Sequence, residues 1–208
     1  MTIKLNGSTA GSVALDAPAS TTGNADINFK LPVADGTAGQ VIKTDGSGNL
    51  SFGGAGITQA DQWRVTSYFN SYDTVITSNW ERNDTDFALI GSGMTESSGV
   101  FTFPATGVYR IDFVVLAYRQ SGQFIRYIAN MIEATTDNSN FNLRGLVYGS
   151  LSNDAVAHDT TSQNIIFDVT NTSTHKVRFK VQSEDTVSFV GETTRNQTCA
   201  TFIRLGDT

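Results

Sequence analysis

The stretch from Ser98 to Phe113, S-G-V-F-T-F-P-A-T-G-V-Y-R-I-D-F, constrains this chain more than any other. Ser97, Ser98 and Gly99 make a turn that feeds a short apolar strand, Val100 to Phe103. Pro104 ends that strand, because proline has no N–H to give to a ladder. A second turn, Ala105 to Gly107, launches a long strand from Val108 to Tyr118. Its period of two puts Tyr109, Ile111, Phe113 and Val115 on one face, while Val114 and Leu116 make the other face largely apolar as well. Ile165-Ile166-Phe167 and Phe202-Ile203 have the same double-sided character. Lys176 to Gln182 is the opposite case, with Val177, Phe179 and Val181 on one side and Lys176, Arg178, Lys180 and Gln182 on the other. It reads as a strand with one buried face and one wet face. A two-layer sandwich gives each strand one core face, so the double-sided strands need cover from a second surface.

The remaining strand expectations follow in order. Gln62 to Phe69 alternates, Asp86 to Ile90 is short, and Phe124 to Ala134, Phe141 to Tyr148, Asn164 to Val169 and Cys199 to Leu205 complete the set. No window carries helical periodicity. Short strands separated by turns every ten or so residues mean a sandwich or barrel. Cys199 is the single cysteine, so the fold has no intrachain disulfide to hold it.

The central stretch resembles a motif of the trimeric jelly-roll superfamily that includes complement's collagen-like recognition heads and tumour necrosis factor. Gly99, Phe101, Pro104, Gly107, Tyr109 and Ile111 stand at the positions of its G-x-F-x-x-P-x-x-G-x-Y-x-F pattern, with Ile111 in place of the usual aromatic. The order of elements fits from Trp63 to Leu205, and T-C-A-T-F-I-R-L resembles the family's final strand. It lacks the small residue that usually precedes the phenylalanine, which leaves its register open. In such proteins the double-sided strands lie in the inner sheet against neighbouring subunits. The resemblance therefore implies an all-β homotrimer with Val114, Leu116, Ile166 and Phe202 at the trimer interface.

Residues 1–57 are different. They hold 10 of the 19 glycines and only two of the 21 aromatics, Phe29 and Phe52, too little to build a compact core. Short strand-like units punctuate them: Ile3 to Leu5, Val13 to Leu15, Ile27 to Leu31, Val41-Ile42 and Leu50 to Phe52, with a tight-turn signal at Asp45-Gly46. The segment from Lys4 to Phe52, and G-Q-V-I-K-T-D-G-S-G-N-L-S-F above all, resembles the N-terminal module of bacteriophage fibre proteins, particularly those of marine phages. Phe52 stands where tryptophan is usual. The resemblance implies a virion protein assembled in the host cytoplasm, held to other virion structural proteins by this module. Gly53-Gly54-Ala55-Gly56 reads as a hinge. The expected organisation is thus an extended, glycine-rich β stem, 1–57, followed by a jelly-roll β-sandwich head, 58–208.

The composition and the motifs narrow the chemistry. A net charge of −6 argues against a nucleic-acid groove, which requires a basic stripe. No apolar run approaches the roughly 20 residues of a membrane span, so no membrane insertion is expected. The N-terminus shows no apolar signal core, so an ordinary signal-peptide route is not expected. His158 and His175 sit near predicted turns with no second ligand or nucleophile, and read as solvated loop residues. The triplets at Asn83, Asn171 and Asn196 matter only in a secretory pathway. Carboxylates are scattered: Asp84 and Asp86, Glu184 and Asp185, then Glu192. Some members of the resembled superfamily hold calcium near the trimer axis, and Glu184-Asp185 is the pair that could serve, although a solvated turn is the plainer reading. No metal site is assigned and no catalytic constellation is present, so an enzyme is not expected.

The leading functional expectation is a homotrimeric tail fibre or other virion appendage whose head binds a host-surface glycan or protein. The alternative is a capsid decoration or head-fibre protein without a defined receptor. Following the family's strand order, three connections face away from the stem: 119–123, 151–162 and 184–198. Phe189, Arg195, Asn196, Arg119 and Gln123 are the candidate contact residues, offering ring stacking and hydrogen bonds.

Overall fold

The computed structural model describes residues 3–6, 10–85, 87, 89–152 and 156–208. The chain divides into two compact units, Met1–Ala55 and Gly56–Thr208, two residues before the boundary expected at 57/58.

The first unit is two antiparallel hairpins, β1 (Ile3–Asn6) with β2 (Ser12–Leu15), and β3 (Gln40–Thr44) with β4 (Leu50–Gly54). The β3–β4 connection is the tight turn that its sequence predicts. Asp45 Oδ1 accepts the backbone N–H of Ser47 at 2.8 Å and of Asn49 at 3.1 Å, mimicking a backbone turn. Lys30 runs parallel beside β4, its N–H donating to Gly48 O at 2.9 Å while its own carbonyl accepts Leu50 N–H at 2.8 Å.

The second unit holds β5 (Ala60–Val65), β6 (Phe69–Val75), β7 (Trp80–Arg82), β8 (Thr95–Ser97), β9 (Val100–Thr102), β10 (Gly107–Arg119), β11 (Tyr127–Thr135), β12 (Asn142–Ser150), β13 (Ala157–Val169), β14 (Lys176–Phe189) and β15 (Cys199–Gly206). Every ladder between these strands is antiparallel. One layer has the order β7-β5-β15-β10-β13 and the other runs β12-β11-β14, with β9 and β6 continuing from β14 and β8 from β9. Two residue pairs between the far ends of β10 and β14 join the layers. The lysine-bearing strand β14 and the double-sided strands β10, β13 and β15 therefore lie in opposite layers, as their face patterns require. Among the described residues no helix is long and apolar enough to cross a membrane.

The central stretch packs as its punctuation dictates. Gly99 has φ +80°, and a Cβ there would run into Ile76 O and the Thr77 backbone, so the turn into β9 accepts glycine alone. Gly107, at φ +141°, is pressed in the same way against Gly206 O and Arg204. After Pro104 the buried Tyr109 folds back, its hydroxyl donating to Ala105 O at 3.0 Å and its ring lying 4.8 Å from Phe103. The core forms where the layers face each other. Phe113 of β10 meets Phe179 of β14 at 4.6 Å between centroids, and Phe101 touches Trp63, Trp80, Phe179 and Phe202 at 5.2–5.5 Å. Aromatic pairs at these separations add to the area term that drives burial.

Several elements differ from their sequence reading. The strand expected over Gln62 to Phe69 is two. β5 ends at Val65, where Thr66 N–H donates to Asn79 O, and β6 crosses to pair with β14 in the other layer. The Asp86 to Ile90 strand falls partly on Asp86 and Ala88, outside the described residues, and Ile90 makes a single bridge to Ala60. β13 starts at Ala157, seven residues before the expected Asn164, and β14 continues seven residues past Gln182. β7 and β8 had no sequence signal strong enough to be read.

Candidate functional site

Strand direction fixes the two ends of the sandwich. Ala60 pairs with Ile203 and Val108 with Gly206, so the second unit is entered and left at one end. At the other end lie the β10–β11 connection (120–126), the β12–β13 connection (151–156) and the segment after β14 (190–198), because Arg119 pairs with Ala157 and Tyr118 with Ser188. Of the β12–β13 connection, residues 153–155 are outside those described.

The five candidate contact residues do not all reach that surface. Phe189 is fully buried, its ring stacked on Phe69 at 5.3 Å. The reason is a bulge: the β14–β6 register shifts between Gln182 and Val187, so Glu184, Asp185 and Thr186 are extruded and Val187 and Phe189 return to the core. Arg119 is also buried, and its guanidinium donates to Gln123 O at 2.8 Å. Neither side chain is available to a partner in this arrangement. Gln123 is half-buried and closes the loop from within, its Oε1 accepting Gln120 N–H at 2.9 Å and its Nε2 donating to Thr186 O at 2.8 Å. Asn196 is exposed and donates to Gln62 Oε1 at 2.6 Å. Arg195 is exposed too, with its side chain 78% open to solvent and Glu192 at 3.8 Å.

One residue at this end was missed. Phe124 was read as the first residue of a strand, but the strand begins at Tyr127 and Phe124 stands 74% exposed in the loop. The internal bonds of Gln123 and Arg119, together with Gly122 at φ +87°, close the loop beneath the ring. Beside it Arg126 forms an ion pair with Glu184, and Arg126 N–H donates to the same carboxylate at 3.0 Å. The Arg126 guanidinium holds the Glu184 carboxyl below the usual carboxylate range.

That pairing bears on calcium. The Glu184 oxygens already face a guanidinium, and Asp185 Oδ1 accepts Thr186 N–H at 2.6 Å. The pair does not fit an oxygen cage. Among the described residues no group of three or more acidic, histidine or cysteine side chains could hold a metal ion.

The second surface is the outward face of the layer β5-β15-β10-β13. Alternation turns Val114 and Leu116 outward, half-buried, and leaves Ile166 59% exposed. Ile203 and Leu205 extend the face along β15, and the Tyr118 and His158 rings meet at 4.8 Å at its far end. Arg110 and Asp112 form a mutual ion pair at 2.8 Å that interrupts the apolar area. Phe202 does not belong to this face. It pairs with Ile111 on the inner side and is buried against Phe101 and Phe179, so its assignment to an interface is corrected by the register.

The other singled-out residues are structural. His158 is solvent-exposed but lies on a strand, β13, not in a loop, and His175 is buried between Thr170 and Thr174 with Phe167 at 5.7 Å. Burial pushes the Cys199 thiol up to about 11. Asn83 is buried and Asp84 pairs with the buried Arg64 at 2.7 Å. Arg64 itself, linked also to Glu81 at 3.0 Å, and Asp61, linked to Arg82 at 3.1 Å, form a charge network on β5 and β7 that sequence reading did not find.

The architecture defined by these layers is a TNF-like jelly roll. No family model and no curated protein matches the chain. Solved structures do. Eiger TNF from S. frugiperda superposes with a TM-score of 0.56 at 12% identity, covering 74% of this chain and 96% of that one. Murine APRIL at pH 5.0 gives a TM-score of 0.53 at 12% identity, covering 71% of this chain and 98% of that one. At this identity the likeness is one of fold.

Proposed function

We propose that the chain is a homotrimeric virion appendage protein, a tail fibre or similar, whose jelly-roll head binds the host surface at the end of the sandwich remote from Ala60 and Gly206. The observation that carries recognition is Phe124, an aromatic ring held out on a loop closed by its own hydrogen bonds, with Arg195 also exposed at that end. A ring on a loop closed in this way offers contact area with little backbone ordering left to do, which suits a glycan or protein partner. Self-association is supported by the apolar outward face carrying Val114, Leu116 and Ile166, which the sandwich itself covers only in part. Three copies would let a site of millimolar affinity hold a particle by avidity. Phage origin rests on the resemblance of Lys4 to Phe52 to fibre N-terminal modules, and attachment to other virion proteins on the same segment. The test replaces Phe124 and Arg195 with alanine in assembled particles and measures adsorption to host cells. Loss of adsorption with the assembly intact is expected. Unchanged adsorption would favour a capsid decoration protein without a receptor.

A further inference from the structure

Strand β6 pairs along one edge only, with β14, and a cleft of about 170 Å³ lies between it and the 76–79 connection that leads into β7. Both walls are fixed. The β14 ladder holds β6, and Ser188 Oγ donates to Asn70 Oδ1 at 2.6 Å, which aims the Asn70 Nδ2 hydrogens elsewhere. The connection is tied at its ends: Ile76 N–H donates to Phe179 O, Trp80 Nε1 to Ile76 O and Thr66 N–H to Asn79 O, each at 2.9 Å. Hydroxyl residues Ser71, Thr74, Thr77 and Ser78 and the amide residues Asn70 and Asn79 line the cleft, with Phe69 as its one ring. No lining residue is ionisable, and Asp73 of the same strand stands outside the lining, paired with Lys180 at 2.7 Å. The Thr77 and Ser78 hydroxyls and the Asn79 amide have no hydrogen-bond partner among the described residues.

These properties select a ligand. An anion or a zwitterion requires a countercharge that the lining lacks. Hydroxyls and amides both donate and accept, as the hydroxyls of a sugar do. The volume is below the roughly 300–1,000 Å³ of a drug-sized pocket, so the cleft takes a single ring. Walls held by their own hydrogen bonds leave little to order on binding. We propose that this cleft binds a neutral hexose, either free or as the end residue of a glycan. None of its lining residues belongs to the surface around Phe124 and Arg195, so the site stands whether or not that surface meets a host.

The test titrates the full-length chain with glucose, galactose, mannose and N-acetylglucosamine, followed by saturation-transfer NMR. At least one should bind saturably at roughly millimolar concentration. Thr77→Val with Ser78→Ala, both at exposed positions, should weaken that binding about tenfold, the loss of two hydrogen bonds of ordinary net strength, at an unchanged melting temperature. Ser173→Ala, an exposed hydroxyl outside the cleft, should leave binding unchanged. Methyl glycosides that bind as well as the free sugar point to the end of a glycan, and their failure to bind points to a free sugar; both support the site. Absence of saturable binding by all four sugars up to about 100 mM overturns the proposal. Full binding by the double variant, or tighter binding of glucuronate or glucose 6-phosphate, overturns it equally.

Discussion

Phe189 offers the sharpest separation of core from the proposed recognition surface. It is fully buried, stacked at 26° on Phe69, and sits beyond a bulge where sequence alone places a solvated loop. Truncating a buried phenylalanine to alanine costs about 3–5 kcal/mol, from lost transfer energy and the cavity left behind. The Phe69 stack contributes about 0.5–1.5 kcal/mol within that range. Against a domain stability of about 5–15 kcal/mol this is a large fraction, and for a unit of this size it corresponds to a fall of roughly 6–20 °C in melting temperature. Phe124→Ala, by contrast, removes an exposed ring and should stay within about 0.5 kcal/mol of the parent. Both variants are unfolded in denaturant at one fixed protein concentration, followed through Trp63 and Trp80, which pack on Phe101 and report the core. A Phe189→Ala chain within about 1 kcal/mol of the parent, yet defective in adsorption, would refute the placement of this ring and return it to the surface.

Three further outcomes follow from named groups. Leu116→Asp should be tolerated by a single sandwich but should dissociate the proposed homotrimer, because a carboxylate buried without a partner costs several kcal/mol at each copy; sedimentation that stays trimeric would count against this face as the interface. Asp137 has its carboxyl held well below the ordinary value of 3.8 by the backbone N–H of Asn140, then by the Asn140 side chain, the Thr135 hydroxyl and Ser139 N–H. Its folded-state pKa is depressed, so its contribution is present above about pH 3.8 and lost as pH falls below that; Asp137→Asn should shrink the difference in melting temperature between pH 7 and pH 3, and an unchanged difference would contradict the assignment. The Cys199 thiol, raised to about 11 by burial, should react with iodoacetamide at pH 8 only as the protein unfolds, and rapid labelling of the native protein would show the strand to be open.

What the sequence revealed depended on whether polarity alternated along a strand. In β10 and the first half of β14 the inward residues are apolar, so their faces could be read directly, and Val114 and Leu116 were recognised as outward because Phe113 and Val115 fix the phase. The first half of β13 has no such contrast: Thr160 and Ser162 point out while Thr161, buried, points in. That inward polarity is accommodated by the buried Asn130, whose Nδ2 donates to Phe113 O at 3.2 Å and Thr161 O at 3.0 Å, a long-range arrangement that no local pattern announces. Glu184-Asp185-Thr186 misled in the same way, since a polar triplet reads as the end of a strand and here is only a bulge within one. Phe202 was displaced by an ambiguity of register, where a slip of one residue moves a side chain from interface to core. The proposed recognition surface was the least legible for a related reason. Residue type distinguishes Phe189 from Phe124 not at all; what separates them is that one follows a bulge returning to the core and the other tops a loop closed by Arg119 and Gln123. The first is set by the ladder between β14 and β6, which are distant in sequence, and the second by the local bonds of Arg119 and Gln123 together with the long-range bond from Gln123 Nε2 to Thr186 O.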